Sequence, residues 1–429
     1  MTATTRQRSA YADYIDLIRE NHNFRNLWIG QIVSLLGDWF NLIASAALIT
    51  QLTDSGLAVG GLFVVRMLAP FLISPIAGVV ADRYNRKYIL MITDLARAVV
   101  VLGFLLVDRG ERLWLLYALT AIQLALSGFF FPARNAILPD IVEPEQLGAA
   151  NAISSTTWST MLAFGAAIGG IVTGMVGTDP SFIIDAITFL GSAYFIARVV
   201  YTPTHTGDSD NSVRGALTNY VDGLRYLRQH TDIFVISTQK AANALIVSSM
   251  FTILQVKLTE EVFVYGKDGS TGMGLIFAAV GIGTGIGPIA ARYFTGDRDR
   301  ALKWGIAASY LITALGLAVI APLSSFGLLL FGTVLRGLGV GIGWVFTTQL
   351  LLQNVPNQVR GRIFATEFAL HSLAYSIGAG GGGWLLEQSG DNLSPILWGM
   401  TVVILLPGAL WVWWIRRENQ QKLDTDLHR

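Results

Sequence analysis

The chain has no cysteine among its 429 residues, which excludes disulfides, thiol chemistry and cysteine-ligated metals together. Histidine is nearly as scarce. Its five copies are scattered without ligand spacing, so no metal centre is expected. Charged residues make up only 14% of the chain and the net charge is +1, which offers no basic surface for nucleic acid. No Gly-x-x-x-x-Gly-Lys-Ser/Thr loop occurs, which argues against ATP-driven pumping, and no cofactor is expected. The polar opening stretch MTATTRQRSAYADYIDLIRENHNF lacks an apolar centre, so it is not read as a cleavable signal peptide.

What is abundant is apolar surface. Hydrophobic residues reach 52% and mean hydropathy is +0.52, more than a soluble domain carries. The 11 Trp and 45 Gly suit interfacial anchoring and close helix packing in lipid. Runs of about 20 apolar residues, the length that crosses a bilayer, predict twelve spans near 26–50, 57–80, 88–107, 112–131, 150–176, 181–200, 233–256, 271–294, 301–321, 326–350, 363–387 and 395–415.

The basic residues orient these spans. Most of the 30 Lys and Arg fall on one side, whereas the opposite loops hold only Arg109, Arg112, Lys257 and Lys267, and Arg66, Arg97, Lys240 and Arg336 lie within spans. The positive-inside rule then puts both termini in the cytoplasm and localises the chain to the cell (inner) membrane as a multi-pass protein. The longest polar stretch, 201–232, divides two groups of six spans, residues 1–200 and 233–429. In it Val213, Leu217, Val221, Leu224 and Leu227 recur at helical spacing, predicting an amphipathic helix on the inner membrane face. Shifting one group over the other by 213 residues aligns Pro75 with Pro288 and Gly61 with Gly274; Gly165, Gly169 and Gly170 meet Gly378, Gly382 and Gly383. The fold class is therefore an all-α integral membrane protein, with twelve transmembrane helices in two pseudo-symmetric six-helix bundles. Tandem copies of this kind are a transporter arrangement, with the binding site between them near the midplane.

One polar stretch, GVVADRYNRK at 78–87, interrupts the apolar sequence at the turn between the second and third spans. Gly78, Asp82, Arg83, Arg86 and Lys87 match the Gly-x-x-x-Asp-Arg-x-x-Arg-Arg/Lys signature, and on these residues the chain resembles the major facilitator superfamily over essentially its whole length. FFFPARNAILPDIVEPEQLGAANAIS and SFIIDAITFLGSA resemble the branch holding macrolide-efflux and siderophore-export proteins. The resemblance implies a gating role for the turn: Asp82 would latch the cytoplasmic side shut by accepting from a helix N-terminus or pairing with Arg. Fixing topology is the alternative role for Arg83, Arg86 and Lys87. The second-half counterpart, ARYFTGDRDRALK, keeps Asp297, Arg298 and Arg300 but has Ala291 in place of the leading glycine. The fifth span, FGAAIGGIVTG, is similar to the Gly-rich pattern of exporters but lacks its proline. The fourth span lacks the intramembrane Arg of many proton-coupled exporters, and Gln123 is its strongly polar residue.

Ionisable groups inside spans are costly, so each is a candidate for function. Asp38, Lys240 and Arg336 lie on helices that line the cavity in the family, and with Asn41, Gln123, Asn243 and Gln349 they form the expected cargo-binding set; Gln31 can also offer a neutral hydrogen bond. Asp38, or Glu367 with His371 at i and i+4 on one face, is the expected proton carrier. Asp94, Arg97 and Asp185 read as structural groups. Phe129, Phe130, Phe131, Trp158 and Trp344 either shape an apolar cavity or pack. The expected activity is alternating-access secondary transport: antiport of protons against export of an amphiphilic organic molecule such as a drug (multidrug efflux), a siderophore or another metabolite. Small-molecule cargo, protons and the lipid bilayer are the expected partners, and the expected state is a monomer. Lipid or lysolipid transport, a non-transporting receptor and an intramembrane enzyme remain as alternatives.

Overall fold

The computed structural model describes residues 10–143, 146–202, 213–296, 298–389 and 392–427, which are almost entirely helical. A short helix, α1 (Ala10–Glu20), leads into α2 (His22–Leu52), whose start is fixed by Asn21 accepting from Phe24 N at 2.9 Å. Then come α3 (Gly56–Arg83), α4 (Arg86–Leu102) and α5 (Leu113–Ile141). Next, α6 (Leu147–Thr160) and α7 (Ala166–Val176) are joined by a π-helical turn at Met161–Gly165 and followed by α8 (Thr178–Ala197). After the polar divide lie α9 (Val213–Gln229), then α10 (Thr231–Asn243) and α11 (Ser249–Lys257), again joined by a π turn. The chain closes with α12 (Ser270–Thr295), α13 (Asp299–Ile320), α14 (Phe326–Asn354), α15 (Asn357–Gln388), α16 (Leu393–Val403) and α17 (Leu405–Leu427).

Among the described residues eleven segments are long and apolar enough to cross a membrane, one fewer than expected. The missing one is 363–387. It lies in a continuous 32-residue helix, α15, but Glu367, His371 and a run of small residues make it too polar to qualify. A second departure concerns the fourth span. It was expected to end at 131, yet α5 continues to Ile141 through Pro132 and Pro139. Both prolines occupy a helix that neighbours support, as lipid-embedded helices allow, and Arg134 is thereby carried inside the helix.

Packing follows the small residues. In the first group α2 and α4 lie against α8, and α3 and α4 against α5; in the second, α12 and α13 lie against α14 and α10 against α15. The two groups meet along α7 with α12 and α3 with α15, at the end of the bundle remote from the termini. There Gln51 Nε2 donates to Asp268 Oδ2 at 2.7 Å. Large apolar side chains such as Ile289 (75% exposed) and Met175 (77%) point outward, as lipid-facing side chains do. In α9, Leu227 is buried while Val221 and Leu224 are exposed, and Gly223 packs on α15 at Arg362 and Thr366. The side chains of Val213 and Leu217 lie outside the described residues.

Candidate functional site

A cavity of about 480 Å³ lies between α2, α4, α5 and α6. Gln31, Ser34 and Asp38 reach it from α2 at i, i+3 and i+7, one helical face, and Arg134 reaches it from α5. Phe130, Phe131 and Trp158 form its apolar walls. At its floor Asp38 pairs with Arg97 Nη2, while Arg97 Nη1 donates to Asp94 Oδ1 and to Ser34 Oγ, each at 3.3 Å. The guanidinium also lies 3.9 Å from the centre of the Phe189 ring. Both line the cavity, and Asp38, 23% exposed against 1% for Arg97, is the more accessible of the two.

A third carboxyl stands behind this pair. Asp185 on α8 is fully buried, and neither of its oxygens has a hydrogen-bond partner among the described residues. It fits only because residue 37 is glycine, since a side chain there would overlap the Asp185 carboxyl. Asn41 comes near without meeting hydrogen-bond geometry. Arg66 on α3 interacts at longer range with Asp38 and Asp185. Asp94 and Arg97 do pair, as their spacing suggests, but Asp38 joins them. The resulting set holds three carboxyls against two guanidiniums.

The second-half candidates form a separate cluster. Lys240 Nζ lies 3.0 Å from Glu367 Oε1 and donates to Thr348 Oγ1 at 2.7 Å, with the Trp344 ring centre 4.5 Å away. His371 meets the backbone oxygen of Lys240 at 3.4 Å and sets its ring edge-on to Trp344. Glu367 therefore pairs with Lys240, and His371 joins through the same lysine. Asn243 accepts from Ser248 Oγ at 2.9 Å across the π turn. Gln123 is buried with its Oε1 unpartnered, and Gln349 is half-buried. Arg336 is buried over the Phe251 ring at 4.0 Å, and no carboxylate pairs with it among the described residues.

For the signature turn, the side chains of Gly78, Asp82 and Arg83 lie outside the described residues. Arg86 bonds Asp140 Oδ2 at 2.6 Å and Ala136 O at 3.0 Å near the C-terminus of α5. Lys87 donates to Ala197 O at the C-terminus of α8, at 2.8 Å. Both bind near helix C-termini, where the dipole favours a cation, so these two side chains pin the start of α4 to two neighbours.

Arg134 was missed at the sequence level because it was placed in a loop. Its Nη2 donates to Gln31 Oε1 at 2.7 Å and to Ser154 Oγ, and its Nη1 donates to Asn135 Oδ1 at 3.1 Å. The signal available was Pro-Ala-Arg continuing the helical spacing of Phe130.

The family model of the Major Facilitator Superfamily matches residues 27–365 and 269–427. The chain belongs to the major facilitator superfamily. It is 26% identical over 400 residues to the MFS-type transporter YfiS of Bacillus subtilis (strain 168), covering 91% of this chain and 93% of that one. It is 26% identical over 395 residues to BacE of the same organism, named as a bacilysin exporter, covering 89% and 92%. Against macrolide efflux protein A of Streptococcus pyogenes it is 23% identical, covering 83% and 87%. Among solved structures, a bacterial homologue of the iron transporter ferroportin in an inward-facing state superposes with a TM-score of 0.71 at 14% identity, covering 91% of this chain and 98% of that one. The nucleoside transporter NupG gives 0.69 at 13%, covering 90% and 98%. This major facilitator protein is thus a multi-pass membrane transporter and not an enzyme.

Proposed function

We propose that this major facilitator protein exports an amphiphilic organic molecule in exchange for protons, with both termini cytoplasmic and the groups 1–200 and 233–429 rocking against each other, the cavity being lined by the first group. The observation that carries the reading is a contrast between the two ends. The α2–α6 cavity holds Asp38 at its floor, while the remote end is sealed where Gly170 meets Gly274 and Gly60 meets Gly383. A closed far end beside a polar cavity on the terminal side is what an inward-open state of an alternating-access carrier requires. Relatives named for bacilysin export and macrolide efflux support the outward direction.

In this reading Asp38, backed by Arg97, Asp94 and Asp185, carries the proton, because it is the carboxylate of the set that keeps access to the cavity. Lys240 with Glu367 and His371 is a second, more enclosed candidate. Asn41, Gln123, Asn243, Arg336 and Gln349 are the proposed cargo contacts, and Asp82 with Gly78 and Arg83 is the proposed latch of the terminal side. The test is proton movement in proteoliposomes driven by a panel of amphiphilic antibiotics and dyes. At least one should move protons in a saturable way, and export that persists undiminished after the pH gradient is collapsed would reject proton coupling.

A further inference from the structure

Arg134 is the least compensated group in the cavity. Its side chain is 6% exposed, yet each of its acceptors, Gln31, Asn135 and Ser154, is neutral. Its Nε has no hydrogen-bond partner among the described residues. Ser154 already donates its own proton to Ala150 O at 2.7 Å, so it serves only to hold the guanidinium. A buried cation held by neutral groups is expensive unless an anion completes the site, and the planar fork of arginine suits a carboxylate.

A carboxylate lies at the floor, where Asp38 pairs with Arg97, keeps 23% of its side chain exposed and lines the cavity. Gln31, which holds Arg134, and Asp38 are seven residues apart on the same face of α2, about 10 Å along the axis. The cavity therefore carries the Arg134 guanidinium at one end and the Asp38 carboxylate at the other, with Phe130, Phe131 and Trp158 also lining it.

We propose that Arg134 is a cargo-binding residue that grips a carboxylate, that Asp38 receives an amine, and that the cargo is a zwitterion with an apolar body. Allowing for a hydrogen bond of about 3 Å at each end, the two charges of such a molecule stand about 5 Å apart. This rests on the export reading above, but it can be tested without transport.

The experiment is equilibrium binding to the purified full chain in nanodiscs, using three probes that share one body: alanyl-phenylalanine, its C-terminal amide and its N-acetyl derivative. The wild-type chain should bind the zwitterion at least tenfold more tightly than either blocked form. Arg134→Gln should lower affinity for the zwitterion to that of the amide and leave the amide unchanged. Arg134→Lys, which keeps charge without the fork, should recover part of the loss. Asp38→Asn should erase the preference for the zwitterion over the N-acetyl form. Melting curves of each variant establish that it is folded. Equal binding of all three probes by wild type, binding of none at millimolar concentration, or an equal loss for all three in folded Arg134→Gln overturns the proposal. Zwitterion preference lost in Arg134→Gln, without any proton-coupled flux, sinks the export reading alone. Flux of cargo without carboxylate preference sinks the Arg134 assignment alone.

Discussion

Gly170 on α7 and Gly274 on α12 cross with no space for a side chain: a Cβ on Gly170 would stand 2.5 Å from the Gly274 Cα and from Ser270 O. This contact closes the end remote from the termini. Gly170→Leu must therefore wedge α7 from α12, since backbone atoms cannot give way as a flexible side chain can. We expect export to fall at least tenfold with normal membrane insertion. The chain has no native cysteine, so a single reporter is clean. Ser270→Cys, at a position 1% exposed, should react with an impermeant maleimide much faster when Gly170→Leu is present. Unaltered labelling would show that the seam is not a gate.

The same seam shows how far the sequence could be read. The 213-residue offset maps Gly170 onto Gly383 and Gly274 onto Gly61, and the second seam forms one residue away, where a Cβ on Gly60 would lie 3.3 Å from the Gly383 Cα. Glycine periodicity was legible because close helix approach leaves no other choice. The span count was less so, because α15 buys its polarity with partners on other helices: Glu367 finds Lys240 on α10. Arg134 was lost for a similar reason. Proline reads locally as a helix end, and only tertiary packing carries α5 through Pro132. Asp38 and Arg97 are 59 residues apart, and no local spacing announces such a pair.

Arg86 and Asp140 join α4 to α5 at 2.6 Å, with side-chain exposures of 17% and 14%. A charged hydrogen bond in such a setting is worth about 1–3 kcal/mol. Arg86→Gln and Asp140→Asn should each lower stability in detergent by that order, and the double variant should cost clearly less than the sum, because both single changes break the same bond. Strict additivity in thermal melts would mean that the bond contributes nothing and that Arg86 acts only on topology.

Asp38 and Glu367 separate as proton carriers by their surroundings. Asp38 meets the cavity, whereas Glu367 is 4% exposed and held by Lys240. Asp38→Asn should reduce cargo-driven proton movement at least tenfold while leaving cargo binding measurable. Glu367→Gln should mainly destabilise, since breaking a buried ion pair costs about 3–5 kcal/mol. Removing both charges, as Lys240→Met with Glu367→Leu, should recover most of that stability and retain proton movement. Proton movement lost in the stable double variant would transfer the carrier role to Glu367 and His371.

Arg336 sits on α14 opposite Gln123 in the 213-residue register, over the ring of Phe251 at 4.0 Å and with its Nε unpartnered. Asp38 and Glu367 are held by Arg97 and Lys240 and do not pair with it. A ring face offsets only part of the desolvation of a guanidinium, about 2 kcal/mol, so in the cargo-free protein Arg336 is a net cost to stability. Arg336→Gln should therefore leave the melting transition unchanged or raise it. A charge kept against stability points to use in the transport cycle. The same variant should raise the apparent KM for carboxylate-bearing cargo at least tenfold, and cationic dyes should be affected much less. A lowered melting transition with equal impairment of every cargo would instead make Arg336 a packing element of α11 and α14, and its cation would then have no part in recognition.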